Sequence, residues 1–368
     1  MNYILRYPGS ALFYVSILLI CLIFAYLAGR GKNKKRTSIW VWVIIIILSI
    51  VAGVRGSTVG IDVAHYIVRH IEPIREGMFA RVRQPIGFRV LVWTVYQFTS
   101  QTYMVFIVFG FITNGLIVRR LWDFRHKASF VLMILFYYCS FYLITFNVLR
   151  QFLAIAVVFF ATRLLERRQY IKYGIGIAIA MTLHVVAIMG FALIPIMILM
   201  IDSKDQKLRK GKKMFLLASP FVIMISAILL YRYFDFDHFI RLYHRFYEGR
   251  FGFMTPLKII FSIFVFYVLS RDRNITQKLT IDIVELKWIF CVYFMGLIIS
   301  MSIIVSSFAD RFAWFYTPYE MIFASLLIGK KDFRIVIHGI YILLALYTLY
   351  MGLSTSGQGI MPYRAFWH

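Results

Sequence analysis

Long apolar stretches separated by short basic clusters constrain this sequence more than any other feature. Of its 368 residues, 61% are hydrophobic and only 15% are charged, whereas about a quarter of the residues in soluble domains are charged. The apolar residues form runs and do not alternate with polar ones, a pattern that predicts membrane-spanning helices. We therefore expect residues 1–368 to form a single all-α integral membrane domain.

The basic clusters predict the orientation of the helices, because cytoplasmic loops are enriched in Lys and Arg. Placing all six clusters inside gives about twelve crossings with both termini outside. The first apolar run precedes its basic cluster, which favours a retained helix over a signal peptide. The clusters lie at 30–36, 119–127, 163–172, 204–213, 271–287 and 330–334. The predicted crossings are 11–28, 38–54, 103–118, 128–145, 148–165, 173–183, 185–200, 214–231, 257–270, 288–306, 312–328 and 335–353.

Two segments fit this topology poorly. Residues 86–99 are too short for an ordinary crossing, so we expect a re-entrant or interfacial helix. Residues 173–200 must cross twice, which leaves each arm roughly 20 Å long against a hydrocarbon core of roughly 30 Å. The apex of this hairpin, near His184, is therefore expected below the outer surface and inside the protein.

The outer face of the predicted topology is rich in arginine. It carries fourteen arginines and a single lysine, Lys258, whereas the inner loops mix both residue types. A guanidinium group binds phosphate oxygens through two parallel hydrogen bonds, and an ammonium group acts as a point charge. This bias favours an anionic, phosphate-bearing ligand. The alternative is that snorkelling side chains bind anionic lipid headgroups.

Two outer-face loops, 55–102 and 232–256, hold most of the remaining polar residues. In "VRGSTVGIDVAHYIVRHIEPIREG" (54–77), a helix from Ile61 would form an amphipathic interfacial helix or a plain membrane anchor. Its polar stripe would contain Asp62, His65, Tyr66, Arg69 and Glu72 or Glu76. In "RYFDFDHFIRLYHRFYEGRFG" (232–252), the aromatic and basic residues can stack on sugars or anchor the interface. The candidates there are Tyr243, Arg245 and Tyr247.

Further polar residues are predicted at outer helix ends. In "SFADRFAWFYTPYE", Asp310 and Arg311 begin a helix that is expected to bury Glu320, which could pair with an arginine. Asn147, Arg150 and Gln151 share one face at the outer end of the crossing 148–165. An ionised group in a bilayer centre costs on the order of 3 kcal/mol, so such residues are functional candidates. Arg150 is expected to face a cavity open to the outside, or to pair with Asp62 or Asp310.

Three stretches of the sequence resemble the EpsG family of bacterial polysaccharide-assembly membrane proteins, which is related in role to the Wzy O-antigen and capsule polymerases. They are "GVRGSTVGIDVAHY", "QPIGFRVLVWTVYQF" and "FNVLRQFLAIAVVFFATRLLERRQYIKYGIGIAIAMTLHVVAIM", all within about residues 50–190. The first departs from the family pattern by one extra residue before the glycine, and the second has Pro-Ile-Gly-Phe in place of Pro-Gly-Phe. The matching residues are Arg55, Gly60, Asp62, Tyr66, Pro85, Gly87, Phe88, Asn147, Arg150, Gln151, Ala154 and His184.

The resemblance implies a GT-C-like polymerase in the bacterial cytoplasmic membrane, with its active site facing the periplasm or outside. It would transfer a growing glycan from undecaprenyl pyrophosphate to a lipid-linked repeat unit, without a cofactor or a metal. Its partners would be the undecaprenyl-pyrophosphate-linked oligosaccharides, membrane lipid, a chain-length regulator and a flippase, and no nucleic acid. A metal-dependent variant would use the aspartates of residues 235–237.

The candidate residues fit that chemistry. Arginines would stabilise the charge of the leaving diphosphate, and His184 or Asp62 would accept the proton of the attacking hydroxyl. The predicted catalytic residues are His184, Asp62 and Arg150. The predicted substrate-binding residues are Arg55, Tyr66, Asn147, Gln151, Tyr243, Arg245, Tyr247, Asp310 and Arg311. Alternatives are a polyprenyl-phosphate-sugar-dependent transferase that adds one sugar, an acyltransferase, and a lipid-linked glycan flippase or transporter.

Overall fold

The computed structural model describes residues 2–30, 34–201, 254–271, 281–301, 309–328 and 331–367. Within these ranges the regular structure is helical, and β-type pairing occurs only as isolated bridges. The all-α prediction is therefore confirmed for the described part of the chain. The helices, labelled α1 to α16, are Tyr3–Arg6, Pro8–Arg30, Lys34–Gly53, Val63–Tyr66, Glu72–Arg75, Ile86–Tyr96, Thr102–Asp123, Phe130–Ser140, Leu149–Glu166, Tyr170–Leu183, Leu193–Ile201, Met254–Arg271, Ile283–Met301, Ala309–Ala313, Tyr319–Phe323 and Lys331–Thr355.

Four of these helices are long and apolar enough to cross a membrane, which supports a membrane protein. They are Pro8–Arg30, Thr102–Asp123, Ile283–Met301 and Asp332–Thr355. Shorter apolar helices include Ser38–Gly53, Phe130–Ser140 and Tyr170–Leu183. The count of about twelve crossings and the GT-C-like class stay predictions, and the predicted crossing 214–231 lies outside the described residues.

Charged residues join the C-terminal ends of α7 and α9. Arg120 is buried, forms an ion pair with Glu166, and donates to Asp123 Oδ2 at 3.4 Å. Asp123 also accepts a hydrogen bond from Arg163 at 3.1 Å. Because both helices end here, they run parallel. This agrees with the predicted topology, in which the clusters 119–127 and 163–172 lie on the same, inner side.

The opposite end of the bundle is closed by the C-terminal tail, which we define as residues 356–367. The Tyr14 hydroxyl of α2 donates to the carbonyl of Ile360 at 2.9 Å. The Tyr363 hydroxyl donates to the carbonyl of Val51, near the end of α3, at 2.9 Å. The tail thereby ties the first two long helices to the polar loop that follows α3, an arrangement that the sequence did not predict.

The predicted crossing 312–328 is wrong as a continuous helix. Helix α14 ends at Ala313, a turn follows, and α15 begins at Tyr319 directly after Pro318. Proline lacks a backbone N–H donor and fixes φ, so it can start a helix but interrupts its interior. The predicted helix 86–99 exists as the short α6, which ends at Tyr96.

The helix is interrupted between α10 and the next helical segment, where the hairpin apex was expected. Helix α10 ends at Leu183, His184 has extended backbone angles (φ −156°, ψ 121°), and a 3-10 helix covers Val185–Ala192. The Tyr173 hydroxyl donates to the carbonyl of Gly190 at 2.8 Å, so the two arms fold back on one another. The predicted hairpin is therefore present, and His184 lies at its turn.

Candidate active site

The loop after α3 is shaped by a glycine and by the C-terminal tail. Gly60 has φ +109°, a backbone region that L side chains rarely adopt. Its N–H donates to the carbonyl of Gly359 at 2.8 Å, and the N–H of Gly56 donates to the carbonyl of Arg364 at 2.7 Å. A Cβ atom on Gly60 would lie 2.9 Å from Asn147 Oδ1. The loop therefore needs a glycine both for its conformation and for its close approach to Asn147, two residues before α9.

Asn147 joins this loop to the tail. Its Nδ2 donates to the backbone carbonyl of Gln358 at 2.6 Å and to Gln358 Oε1 at 2.7 Å. Its Oδ1 accepts a hydrogen bond from the backbone N–H of Asp62 at 3.4 Å. Asn147 thus fixes the start of the segment that carries Asp62, which is a positioning contact.

Arg55 occupies a neighbouring but separate environment. It is 3% exposed, its guanidinium lies 4.8 Å from the ring centroids of Phe106 and Phe146, and it donates to the carbonyl of Phe146 at 2.9 Å. Arg55 therefore holds the backbone that precedes Asn147. The structure does not bring it together with Arg150.

Arg150 lies at the start of α9, among polar and aromatic groups of the segment between α3 and α7. Its Nε donates to the Tyr66 hydroxyl at 2.9 Å, and its Nη1 donates to Gln84 Oε1. The guanidinium also lies 5.4 Å from the ring centroid of Tyr66 and 5.7 Å from that of Phe88. These contacts fix both the position and the plane of the guanidinium fork.

The Pro-Ile-Gly-Phe element brings α6 against α10 and supplies one of these rings. A Cβ atom on Gly87 would lie 2.9 Å from the carbonyl oxygen of Thr182, two residues before His184. Phe88, the next residue, is fully buried and lies beneath Arg150. Only a glycine permits this approach, so Gly87 couples the hairpin turn to the surroundings of Arg150.

Four of the predicted site residues share one electrostatic environment: Arg150, Arg311, Asp62 and His184. Asp62 lies within electrostatic range of Arg311 and Arg150, and the same two arginines act on His184. Gln151 links α9 to α14 because its Nε2 donates to the carbonyl of Arg311 at 2.5 Å. Two cations from different helices therefore lie within electrostatic range of one carboxylate and one imidazole.

Burial raises the pKa of Asp62 above its ordinary value, and the positive charges of Arg311, His65 and Arg150 oppose that rise. The carboxylate is thus made more basic by its partial burial, while the neighbouring cations favour its ionised form. In His184 the Nδ1 atom is buried and finds no hydrogen-bond partner among the described residues. Asp62 is therefore suited to accept a proton from a hydroxyl, whereas the burial of His184 and the charges of Arg150 and Arg311 disfavour protonation of its ring.

Several predicted residues are not placed in this cluster. Tyr243, Arg245 and Tyr247 lie outside the described residues, as do the aspartates of 235–237. Asp310 belongs to α14, next to Arg311 in the chain. Among the described residues Glu320 pairs with Lys258, at 2.7 Å, and not with an arginine, the partner that the sequence had suggested.

The structure adds two residues that the sequence reasoning missed, His70 and Gln84. A π-helical segment covers Ile67–Ile71, so the spacing of the expected polar stripe changes. Arg69 is exposed and Val68 is 63% exposed, whereas His70 is partly buried beside Tyr66. The sequence did offer one signal for Gln84, because this residue directly precedes the Pro-Ile-Gly-Phe element.

A comparison with protein families identifies the chain. The model of the EpsG family matches residues 38–365. The chain belongs to the EpsG family. This match confirms the resemblance and extends it from residues 50–190 to almost the whole sequence. EpsG family members are similar to Wzy-type polysaccharide polymerases, which indicates a membrane polysaccharide polymerase. No curated protein and no solved structure gives a significant match to the chain.

Proposed function

We propose that this EpsG family member transfers a growing glycan from undecaprenyl pyrophosphate to a lipid-linked repeat unit, on the outer side of the bacterial cytoplasmic membrane. One observation carries the proposal. Arg150 and Arg311 lie with Asp62 and His184 at the end of α9 opposite its inner ion pairs. Such a set can bind a diphosphate and accept a proton in one place, which glycosyl transfer requires.

The reaction exchanges one bond to carbon for another. A hydroxyl oxygen of the acceptor's terminal sugar attacks the anomeric carbon of the donor and forms the new glycosidic bond. The bond between that carbon and the diphosphate oxygen breaks, and undecaprenyl pyrophosphate leaves with the electron pair. The hydroxyl proton passes to a base of the protein, so no oxidant, reductant or further co-reactant is needed.

The arginines are suited to stabilise the leaving group. Negative charge accumulates on the diphosphate as the glycosidic bond breaks, and fixed donors aimed at such charge lower the barrier. Arg150 is held by two hydrogen bonds and two rings, so little reorganisation is needed during the reaction. Arg311 reaches the same environment from α14 and supplies the second cation.

Asp62 and His184 are the candidate bases. The raised pKa of Asp62 brings its basicity closer to neutral pH, where a general base is most effective. His184 is the second candidate because its buried Nδ1 has no hydrogen-bond partner among the described residues. The kinetics of Asp62→Asn and His184→Gln test this assignment. The variant that lacks the base should lose kcat with little change in KM, and the other should retain most of its kcat.

Purified protein in liposomes, supplied with undecaprenyl-pyrophosphate-linked repeat units, tests the proposed reaction. A ladder of glycan lengths is expected, and the polymer should remain attached to the carrier lipid. When a polyprenyl-phosphate sugar is also supplied, a single added sugar would instead indicate a transferase that uses that donor, and transport without new bonds would indicate a flippase. Chelation with EDTA should leave the ladder unchanged. Inhibition that magnesium reverses would favour a metal-dependent reaction.

A further inference from the structure

We propose that Gln84 and His70 are positioning residues that hold the guanidinium of Arg150 in the orientation needed to bind the leaving diphosphate. Neither residue belongs to the sequence-predicted site. The inference rests on the proposed function, because it concerns how that same site holds a diphosphate. Three elements meet here: the π-helical segment with His70, the loop before α6 with Gln84, and the start of α9 with Arg150.

The contacts form a chain that ends at Arg150. The amide Nε2 of Gln84 lies 3.0 Å from His70 Nε2 and 3.3 Å from His70 Nδ1. Its Oε1 accepts the hydrogen bond from Arg150 Nη1. Tyr66 closes the group, since its hydroxyl accepts from Arg150 Nε at 2.9 Å and its ring lies 5.4 Å from that of His70. The guanidinium is therefore held from two sides.

The chemistry of the three side chains fixes which way the Gln84 amide points. A guanidinium has only donors, so the atom facing Arg150 must be the carbonyl oxygen of Gln84. Its NH₂ group then faces His70, which must present an unprotonated ring nitrogen as the acceptor. If His70 were protonated, both of its nitrogens would donate, and the amide could satisfy His70 only by turning its NH₂ group toward Arg150.

The surroundings of His70 keep the ring in the accepting form. Burial lowers the pKa of His70 from 6.5 to about 4, and the charges of Arg150, His65 and Arg69 act in the same direction. Arg150 approaches from α9, whereas His65 and Arg69 lie on the same outer segment as His70. Near neutral pH the imidazole is therefore uncharged, and the chain of hydrogen bonds has one consistent direction.

A set of four variants tests the inference. Gln84→Met keeps the length of the side chain but removes both hydrogen bonds. His70→Phe keeps a ring and removes the acceptor, and His70→Gln loses the ring but keeps an acceptor at a similar reach. Gln97→Met is the matched control, because Gln97 is exposed at the end of α6 and, among the described residues, its side-chain amide donates to the carbonyl of Trp93 and not to the site.

The measurements are binding of inorganic pyrophosphate to the purified protein, kcat and KM for chain growth, and the thermal unfolding midpoint. We expect Gln84→Met to weaken pyrophosphate binding and kcat/KM by about tenfold or more, since misplaced groups in a site lose much of their effect. His70→Phe should show a smaller loss, His70→Gln and Gln97→Met almost none. If Gln84→Met does not fold, the two His70 variants decide the question.

The outcomes separate this inference from the proposed function. Normal pyrophosphate binding by Gln84→Met, or better function in His70→Phe than in His70→Gln, would overturn the positioning role. A wild-type protein that binds pyrophosphate but builds no ladder would overturn the polymerase. In that case the binding of pyrophosphate by the variants would alone decide the positioning role. Failure of the wild type to bind pyrophosphate would overturn the positioning role, and the ladder assay would then decide the polymerase separately.

Discussion

Replacement of Arg150 by lysine is the most direct test of the diphosphate site. The lysine keeps the positive charge but loses the planar fork, so it cannot donate to Tyr66 and Gln84 while also presenting paired donors to a phosphate. It also loses the flat guanidinium face against the rings of Tyr66 and Phe88. The substitution therefore keeps the positive charge and removes the planar arrangement of donors.

The size of the effect follows from these contacts. Removing one well-placed donor to a charge that develops in the transition state costs about 100-fold to 1000-fold in kcat. Each factor of ten corresponds to about 1.4 kcal/mol of barrier. We therefore expect Arg150→Lys to raise the barrier by about 3–4 kcal/mol. The membrane abundance of the variant should stay normal, because the side chain is only partly buried.

The assay is the rate of chain growth in liposomes at saturating substrate, with membrane abundance measured in parallel. Arg163→Lys is the control on the same helix, about 20 Å along the axis, where Arg163 pairs with Asp123. The control should grow chains at the wild-type rate. If Arg150→Lys stays within threefold of the wild type, the guanidinium fork has no role in holding the diphosphate.

Three further predictions concern the structure around the site. Gly60→Ala should lower the thermal unfolding midpoint and abolish chain growth, because its φ is +109° and the new Cβ would collide with neighbouring atoms. Gly77→Ala, at φ +81° with open space around it, should cost only the backbone strain of about 1–3 kcal/mol. Glu320→Gln leaves the Lys258 ammonium without its partner and should cost about 3 kcal/mol of stability. A double replacement with Lys258→Met should recover part of that loss, and a double variant no more stable than the single one would contradict the pairing. The lowered pKa of His70 predicts that the free energy of unfolding falls as the pH drops from 6.5 towards 4, because only the unfolded chain takes up that proton. His70→Gln should remove this slope, and a slope that persists would assign it to other groups.

The helices that were predicted well are those whose signal is local. Helices α2, α3 and α9 lie close to the predicted runs 11–28, 38–54 and 148–165, because a long apolar stretch between basic clusters has few alternatives. The break at His184 also followed from length alone. The prediction of one helix over 312–328 was wrong because it followed the apolar composition of the segment. Pro318 interrupts that helix.

The site was predicted in part for the same reason. The spacing of Asn147, Arg150 and Gln151 placed all three near one helix end, and this required only helical periodicity. The spacing could not show that they serve different neighbours. Asn147 binds the C-terminal tail, while Gln151 binds the carbonyl of Arg311. The roles of the three side chains depend on segments that are distant in sequence.

The sequence alone determined the class of the protein and its family, because composition and short motifs are properties of neighbouring residues. Tertiary structure alone decided which arginines share an environment. It buried Arg55 between Phe106 and Phe146 and placed Arg150 and Arg311 within electrostatic range of the same carboxylate. It also brought Gln84, in the loop before α6, into a hydrogen bond with Arg150, and His70, in the π-helical segment, into contact with Gln84. The physical reason is that a hydrogen bond or an ion pair depends on distances of a few ångströms in space. Helical periodicity fixes such distances only within one helix.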